Sequence, residues 1–165
     1  MAIVTPRTQR ERNLITIENS RFIFQTNFSG DPKRDRFGSD ARQANLVIPS
    51  QEQAMQLLDM GFNVRETKPR PGEEEDFVPT YFINIKANYD TEWPPKIYII
   101  AGDSDRQLLD EESVGCIDTA YILNVDAVLN PYENQRTGTK SLYVRTMYVT
   151  QDVEEDPFAA KYARA

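Results

Sequence analysis

Short runs in which apolar and polar residues alternate, rich in β-branched and aromatic side chains, recur along the chain between clusters of Gly, Pro, Asn and Asp. That period of two belongs to half-buried strands and predicts a mainly β protein. Strands are expected near residues 13–18, 20–28, 43–48, 62–67, 80–89, 96–101, 119–129 and 141–150. One helix interrupts them: Ser50 and Gln53 form a capping box, Ala54, Leu57 and Leu58 an apolar stripe, and Gly61 stands where a C′ residue belongs, which predicts a helix over 51–60. A short helical turn is expected around 110–114. Residues 69–76, with two prolines, a glycine and four consecutive acids, read as an exposed loop. No internal repeat is present.

Over 80–89 the alternation places Tyr81, Ile83, Ile85, Ala87 and Tyr89 on one face, the expected core side, and Phe82, Asn84, Lys86 and Asn88 on the other. The second face combines a ring, two amides and an ammonium. It suits a solvated sheet surface, and it equally suits rings stacking on bases while cations meet phosphates. Strand 96–101 repeats the theme, with Ile97, Ile99 and Ala101 inward and Lys96 and Tyr98 outward. In strand 141–150, Leu142, Val144 and Tyr148 are assigned to the core, leaving Tyr143 and Arg145 on the opposite side.

The 165 residues, 39% of them hydrophobic, are enough for one soluble domain with tails. No stretch approaches the roughly 20 apolar residues of a membrane span, and Met1 to Arg12 lacks the apolar run of a signal peptide, so a cytoplasmic protein without a membrane partner is expected. Histidine is absent and Cys116 is the only cysteine. This composition excludes intrachain disulfides, Cys/His zinc sites, triads that use an imidazole base and histidine pH switches. Binding, with no catalytic residue, cofactor or metal, becomes the default. The rival is a carboxylate-dependent nuclease using Asp103, Asp105, Asp110, Glu111 and Glu112 to hold Mg²⁺. These acids follow a strand end with no positioned lysine nearby, and a charge run is usually a solvated surface.

The net charge of −7 argues against a nucleic-acid partner only until its distribution is considered. Residues 1–70 carry a balance of +3, residues 71–118 one of −9, residues 119–150 one of +1 and residues 151–165 one of −2. Acid is concentrated in two stretches, leaving room for a neutral-to-basic face elsewhere. Loop 30–42, GDPKRDRFGSDAR, sets Lys33, Arg34, Arg36 and Arg42 around Phe37, diluted by Asp31, Asp35 and Asp40. Loop 130–140, NPYENQRTGTK, brings Tyr132, Arg136 and Lys140. In a five-stranded OB barrel the loops joining strands one and two and strands four and five clamp oligonucleotides, and these two loops fit those positions if the barrel forms.

The run Asn27-Phe28-Ser29-Gly30, then Pro94-Pro95-Lys96-Ile97, Asn124-Val125-Asp126 leading to Asn130-Pro131-Tyr132, and Ser141-Leu142-Tyr143-Val144 resembles the phage-encoded single-stranded DNA-binding proteins with an OB-fold, over roughly residues 20–150. The resemblance implies a small barrel that coats single strands during phage DNA replication and recombination, and it brings no catalytic motif. The chain departs from it in the charged 30–42 insertion and the acidic 73–76 loop.

The fold expected is therefore an OB-like five-stranded Greek-key barrel with additional strands and one inserted α-helix, divided into a flexible arm 1–12, a nucleic-acid-binding domain 13–150 and an acidic tail 151–165. Its DNA-binding residues are expected to be Lys33, Arg34, Arg36, Phe37, Arg42, Phe82, Lys86, Lys96, Tyr98, Tyr132, Arg136, Lys140, Tyr143 and Arg145. In the tail, Asp152, Glu154, Glu155 and Asp156 precede Phe158, resembling the acidic tips through which bacterial single-stranded DNA-binding proteins recruit replication and repair enzymes. A solubilising disordered tail is the plainer reading. The alternative function is that of a small acidic phage protein that binds or inhibits a host nucleic-acid-processing protein by charge mimicry. Homo-oligomerisation is left open.

Overall fold

The computed structural model describes residues 14–101 and 105–152. Arg21 divides the first extended segment into β1 (Ile15–Ser20) and β2 (Phe22–Asn27). At this corner the Ser20 hydroxyl donates to the Val47 carbonyl, and the Val47 N–H donates to the Arg21 carbonyl at 2.9 Å. The remaining strands are β3 (Gln43–Ile48), β4 (Arg65–Glu66), β5 (Tyr81–Lys86), β6 (Lys96–Ala101), β7 (Gln107–Leu109), β8 (Ile122–Glu133) and β9 (Lys140–Gln151). Their hydrogen-bonded order is β1-β8-β9-β5-β3-β2. Because its two ends are halves of one bent strand, the sheet returns on itself as a five-stranded barrel, with β5 and β9 parallel and the other barrel pairs antiparallel. This is the OB arrangement the sequence leads one to expect. Strand β4 extends it beside β5, while β6 and β7 extend it beside β9.

Ile17, Leu46, Ile85, Ile97, Leu129, Leu142, Met147 and Val149 fill the interior. Helix α1 (Gln51–Asp59) starts where the capping box predicts, with the Gln53 N–H donating to the Ser50 hydroxyl at 3.1 Å. It ends at Gly61, whose φ of 94° lets the Phe62 N–H reach back to the Leu57 carbonyl at 3.0 Å. Phe62 is thereby drawn into the core with Ala54 and Leu57. The strand expected over 62–67 accordingly shrinks to β4, and Leu58 stays exposed. The helical turn expected at 110–114 is instead a turn closed by Asp110, followed by a 3-10 segment, Val114–Thr119, that buries Val114 and Ile117. Strand β7 is three residues long, too short to show a period.

The last strand departs from its expected register. Val128 pairs with Thr146 but Leu129 pairs with Val144, so Arg145 is the extra residue of a β-bulge. Alternation reverses across it: Leu142 and Val144 point inward before the bulge, Met147 and Val149 after it. Tyr148, expected in the core, faces outward with Tyr143.

Candidate nucleic-acid interface

On the outer surface the register aligns one row across four strands: Gln43 beside Lys86, Lys86 beside Tyr143, and Tyr143 beside Asn130. Tyr132 meets the Tyr143 ring edge-on, with centroids 5.9 Å apart. Beyond this row the connection from β5 to β6 supplies Asn88, Thr91 and Trp93, which face Asn130, Tyr132, Tyr143 and Arg145 across an open cleft of about 570 Å³. Trp93 is 78% exposed and Tyr132 is also exposed, so two large rings of the cleft lining stand in water. The hairpin between β8 and β9 carries Arg136 at its tip, where the Asn134 side chain accepts the Arg136 N–H at 2.9 Å. Exposed rings with cations nearby can stack bases and meet phosphates together.

Of the expected residues, the fold thus gathers Tyr132, Tyr143 and Arg145 at one cleft, with Lys86 beside Tyr143 in the sheet and Arg136 in the adjoining hairpin. Lys96 and Tyr98 lie on β6, further along the outer face of β9. Loop 30–42 joins β2 to β3, and the hairpin joins β8 to β9, the two clamp positions expected of the barrel. Lys33, Arg36 and Phe37 are accessible on the first of these loops, with Arg36 5.6 Å from the Phe37 ring centroid.

Four expected contacts have other work. Arg34 donates from Nε to the Thr26 carbonyl at 3.0 Å and pairs with Asp118 at 3.4 Å. Arg42 donates to the Phe28 carbonyl at 2.6 Å and lies over the Tyr89 ring, 5.4 Å from its centroid, with Glu111 3.8 Å away. Lys140 donates to the Met60 carbonyl and lies over Phe62, closing the C-terminus of α1. Phe82 does point outward, yet it is only 4% exposed, because Phe24 packs edge-on against it at 5.2 Å and Arg65 covers it at 5.7 Å. The exposed ring on that face is Phe24, turned out by a φ of 62° within the irregular β2 pairing.

Trp93 is a cleft residue that periodicity does not reveal, since it sits in a loop; its one signal in the sequence is a lone tryptophan between Glu92 and a proline pair. Phe24 and Tyr148 carried no such signal, as bulges decide their direction.

The base of loop 30–42 is held by Asp118, whose side chain is 2% exposed. Its carboxylate accepts the Thr26 hydroxyl at 2.9 Å and the N–H groups of Phe28 and Ser29 at 2.8 and 3.0 Å. Beneath Arg42, burial pushes the Tyr89 phenol up to about 12, against the opposing pull of the guanidinium. Asp110, in the acidic stretch considered for metal, accepts the hydroxyl and N–H of Ser113, which hold its carboxyl below the usual range. Asp103 lies outside the described residues, as do arm 1–12 and the tail residues Glu154, Glu155, Asp156 and Phe158. Asp152 is described, and its N–H donates to the Tyr121 carbonyl at 2.7 Å.

A barrel of this strand order, with rings and cations around a cleft beside its β8–β9 hairpin, defines an OB-type binding domain. The profile of the family described as "Putative phage ssDNA-binding domain" matches residues 5–165, and the chain belongs to that family. Among solved structures, the single-stranded DNA-binding protein from bacteriophage Enc34, as a C-terminal truncation, is similar with a TM-score of 0.53 at 13% identity, over 87% of this chain and 88% of that one. A second structure of that protein gives 0.52 at 12% identity, over 92% and 90%. At these identities the likeness is one of fold. No curated protein matches the chain in sequence. Among the described residues no helix is long and apolar enough to cross a membrane.

Proposed function

We propose that this domain binds and protects single-stranded DNA, with little sequence preference, during phage DNA replication or recombination in the host cytoplasm. It acts by binding rather than by turnover, and its tail engages replication or recombination proteins. The observation that carries the reading is the cleft itself: Trp93, Tyr132 and Tyr143 present rings to one open surface, with Arg145 in its lining and Lys86 next to Tyr143 in the sheet. Ring faces accept any base, which favours binding without sequence readout, and unpaired bases alone expose those faces. Fluorescence anisotropy with labelled oligo-dT and a duplex of equal length, over a salt series, tests it. Tighter binding to the single strand, weakening as salt rises, is expected. Equal binding to duplex overturns the preference, and no binding to either at low salt favours the inhibitor alternative.

A further inference from the structure

The cleft is not the only place where rings and a cation meet on the outer surface. Tyr98 of β6 and Tyr148 of β9 are direct register partners, and their rings stack at 5.1 Å between centroids and 10° from parallel. Arg106 lies over both, 4.8 Å from the Tyr98 centroid and 5.9 Å from that of Tyr148, and donates to the Tyr148 hydroxyl at 3.3 Å. The barrel does not need these rings inside, since Ile97, Met147 and Val149 fill the inner face of the same two strands. The bulge at Arg145 puts Tyr143, Thr146 and Tyr148 on one outward face, so the pair shares a surface with the cleft. Lys96, exposed beside Thr146, stands between them.

We infer that single-stranded DNA leaving the cleft continues along the outer face of β9 to a second stacking platform made by Tyr98, Tyr148 and Arg106. The inference rests on the single-strand reading of the cleft and extends it. From Tyr143 to Tyr148 the strand advances about 15 Å, a gap that a few nucleotides bridge, within the roughly 4 to 16 an OB fold occupies. Lys96 meets a phosphate midway, a base lies on the tyrosine pair, and the guanidinium of Arg106 meets the next phosphate. Asp126 is the one acid in the same register row, and its carboxylate is occupied by the Asn19 N–H and the Asn124 amide.

The test compares dT oligomers of about 4 and about 16 nucleotides on the full chain and on Tyr98→Ala/Tyr148→Ala. The double variant is expected to lose roughly tenfold or more on the long oligomer while staying within about twofold on the short one, which the cleft alone accommodates. Arg106→Gln, at an exposed position that leaves both rings in place, should weaken only the long oligomer and reduce its salt slope by about 0.7. Unchanged long-oligomer affinity in both variants overturns the platform while leaving the cleft intact, as does equal loss on both lengths. Failure of the unmodified chain to bind either oligomer overturns the single-strand reading, and the platform with it.

Discussion

The carboxylate of Asp118 accepts the backbone N–H of Phe28 at 2.8 Å, across 90 residues of sequence. Together with the Ser29 N–H, the Thr26 hydroxyl and Arg34, this contact ties the end of β2 to the 3-10 segment before β8 and sets where loop 30–42 leaves the barrel. Gly115 allows the approach: a Cβ there would lie 2.8 Å from the Ser29 Cβ. Asp118→Ala removes the acceptor from three donors and leaves Arg34 without its carboxylate. A loss of about 3 kcal/mol is expected, measurable by urea unfolding. A loss below about 0.5 kcal/mol would show that the loop base is held elsewhere.

The rings divide into two groups with opposite mutational behaviour. Trp93→Ala, Tyr132→Ala and Tyr143→Ala should each weaken single-strand binding by about 1 to 3 kcal/mol, with little change in melting. Phe82→Ala should lower stability by about 3 kcal/mol, because the buried ring leaves a cavity under Phe24 and Arg65. Trp93 is the only tryptophan, so quenching of its emission on adding oligo-dT reports directly on the cleft. Binding without quenching would move the DNA away from it.

The cations divide likewise. Removing Lys33, Arg36, Lys86 or Arg136 singly should reduce the salt slope of binding by about 0.7 each, as one phosphate contact is lost. Arg34→Ala, Arg42→Ala and Lys140→Ala should leave the slope unchanged and lower the unfolding midpoint, since these side chains hold Thr26, Phe28 and Met60 carbonyls. The reverse pattern would return those three to the interface.

Tyr89 has its phenol held up to about 12 by burial, while its buried hydroxyl has no hydrogen-bond partner among the described residues. In the unfolded chain a tyrosine ionises near 10. The folded state therefore prefers the protonated ring: this contribution to stability is complete below about pH 10 and is lost as pH rises through about 12. In a phenolate absorbance titration, Tyr89→Phe should remove a step near pH 12. At neutral pH that variant should be within about 1 kcal/mol of the parent, as no hydrogen bond is broken.

Residue 151 is still sheet: Gln151 pairs with Ile122 and Ala101. A truncation that probes the tail should therefore begin at 153. Deleting residues 153–165 removes three acids and two bases, and we expect the barrel to fold and single-strand binding to tighten at low salt, because a tethered anion competes for the same cations at high effective concentration. The gain should fade as salt screens both. A truncated protein that melts lower or binds DNA more weakly would make the tail part of the domain.

Local pattern was sufficient for much of this protein. Strands β3 and β6 fall where alternation places them, and Ser50, Gln53 and Gly61 define both ends of α1, because capping and turn chemistry act over a few residues. The loops that flank the site were readable for the same reason, as clusters of turn residues carrying charge and rings. What tertiary structure alone decided is which of those side chains are available. Arg34 pairs with Asp118 and Lys140 reaches the Met60 carbonyl far away in sequence, Arg42 holds the Phe28 carbonyl while lying over Tyr89, and Phe82 is covered by a ring from β2. Trp93 reaches the cleft because β5 and β9 are parallel neighbours, and Tyr148 faces outward because one residue, Arg145, bulges from the ladder. A period of two assigns faces only while the register runs unbroken, and a single inserted residue, set by pairing with a distant strand, exchanges inside and outside for everything beyond it.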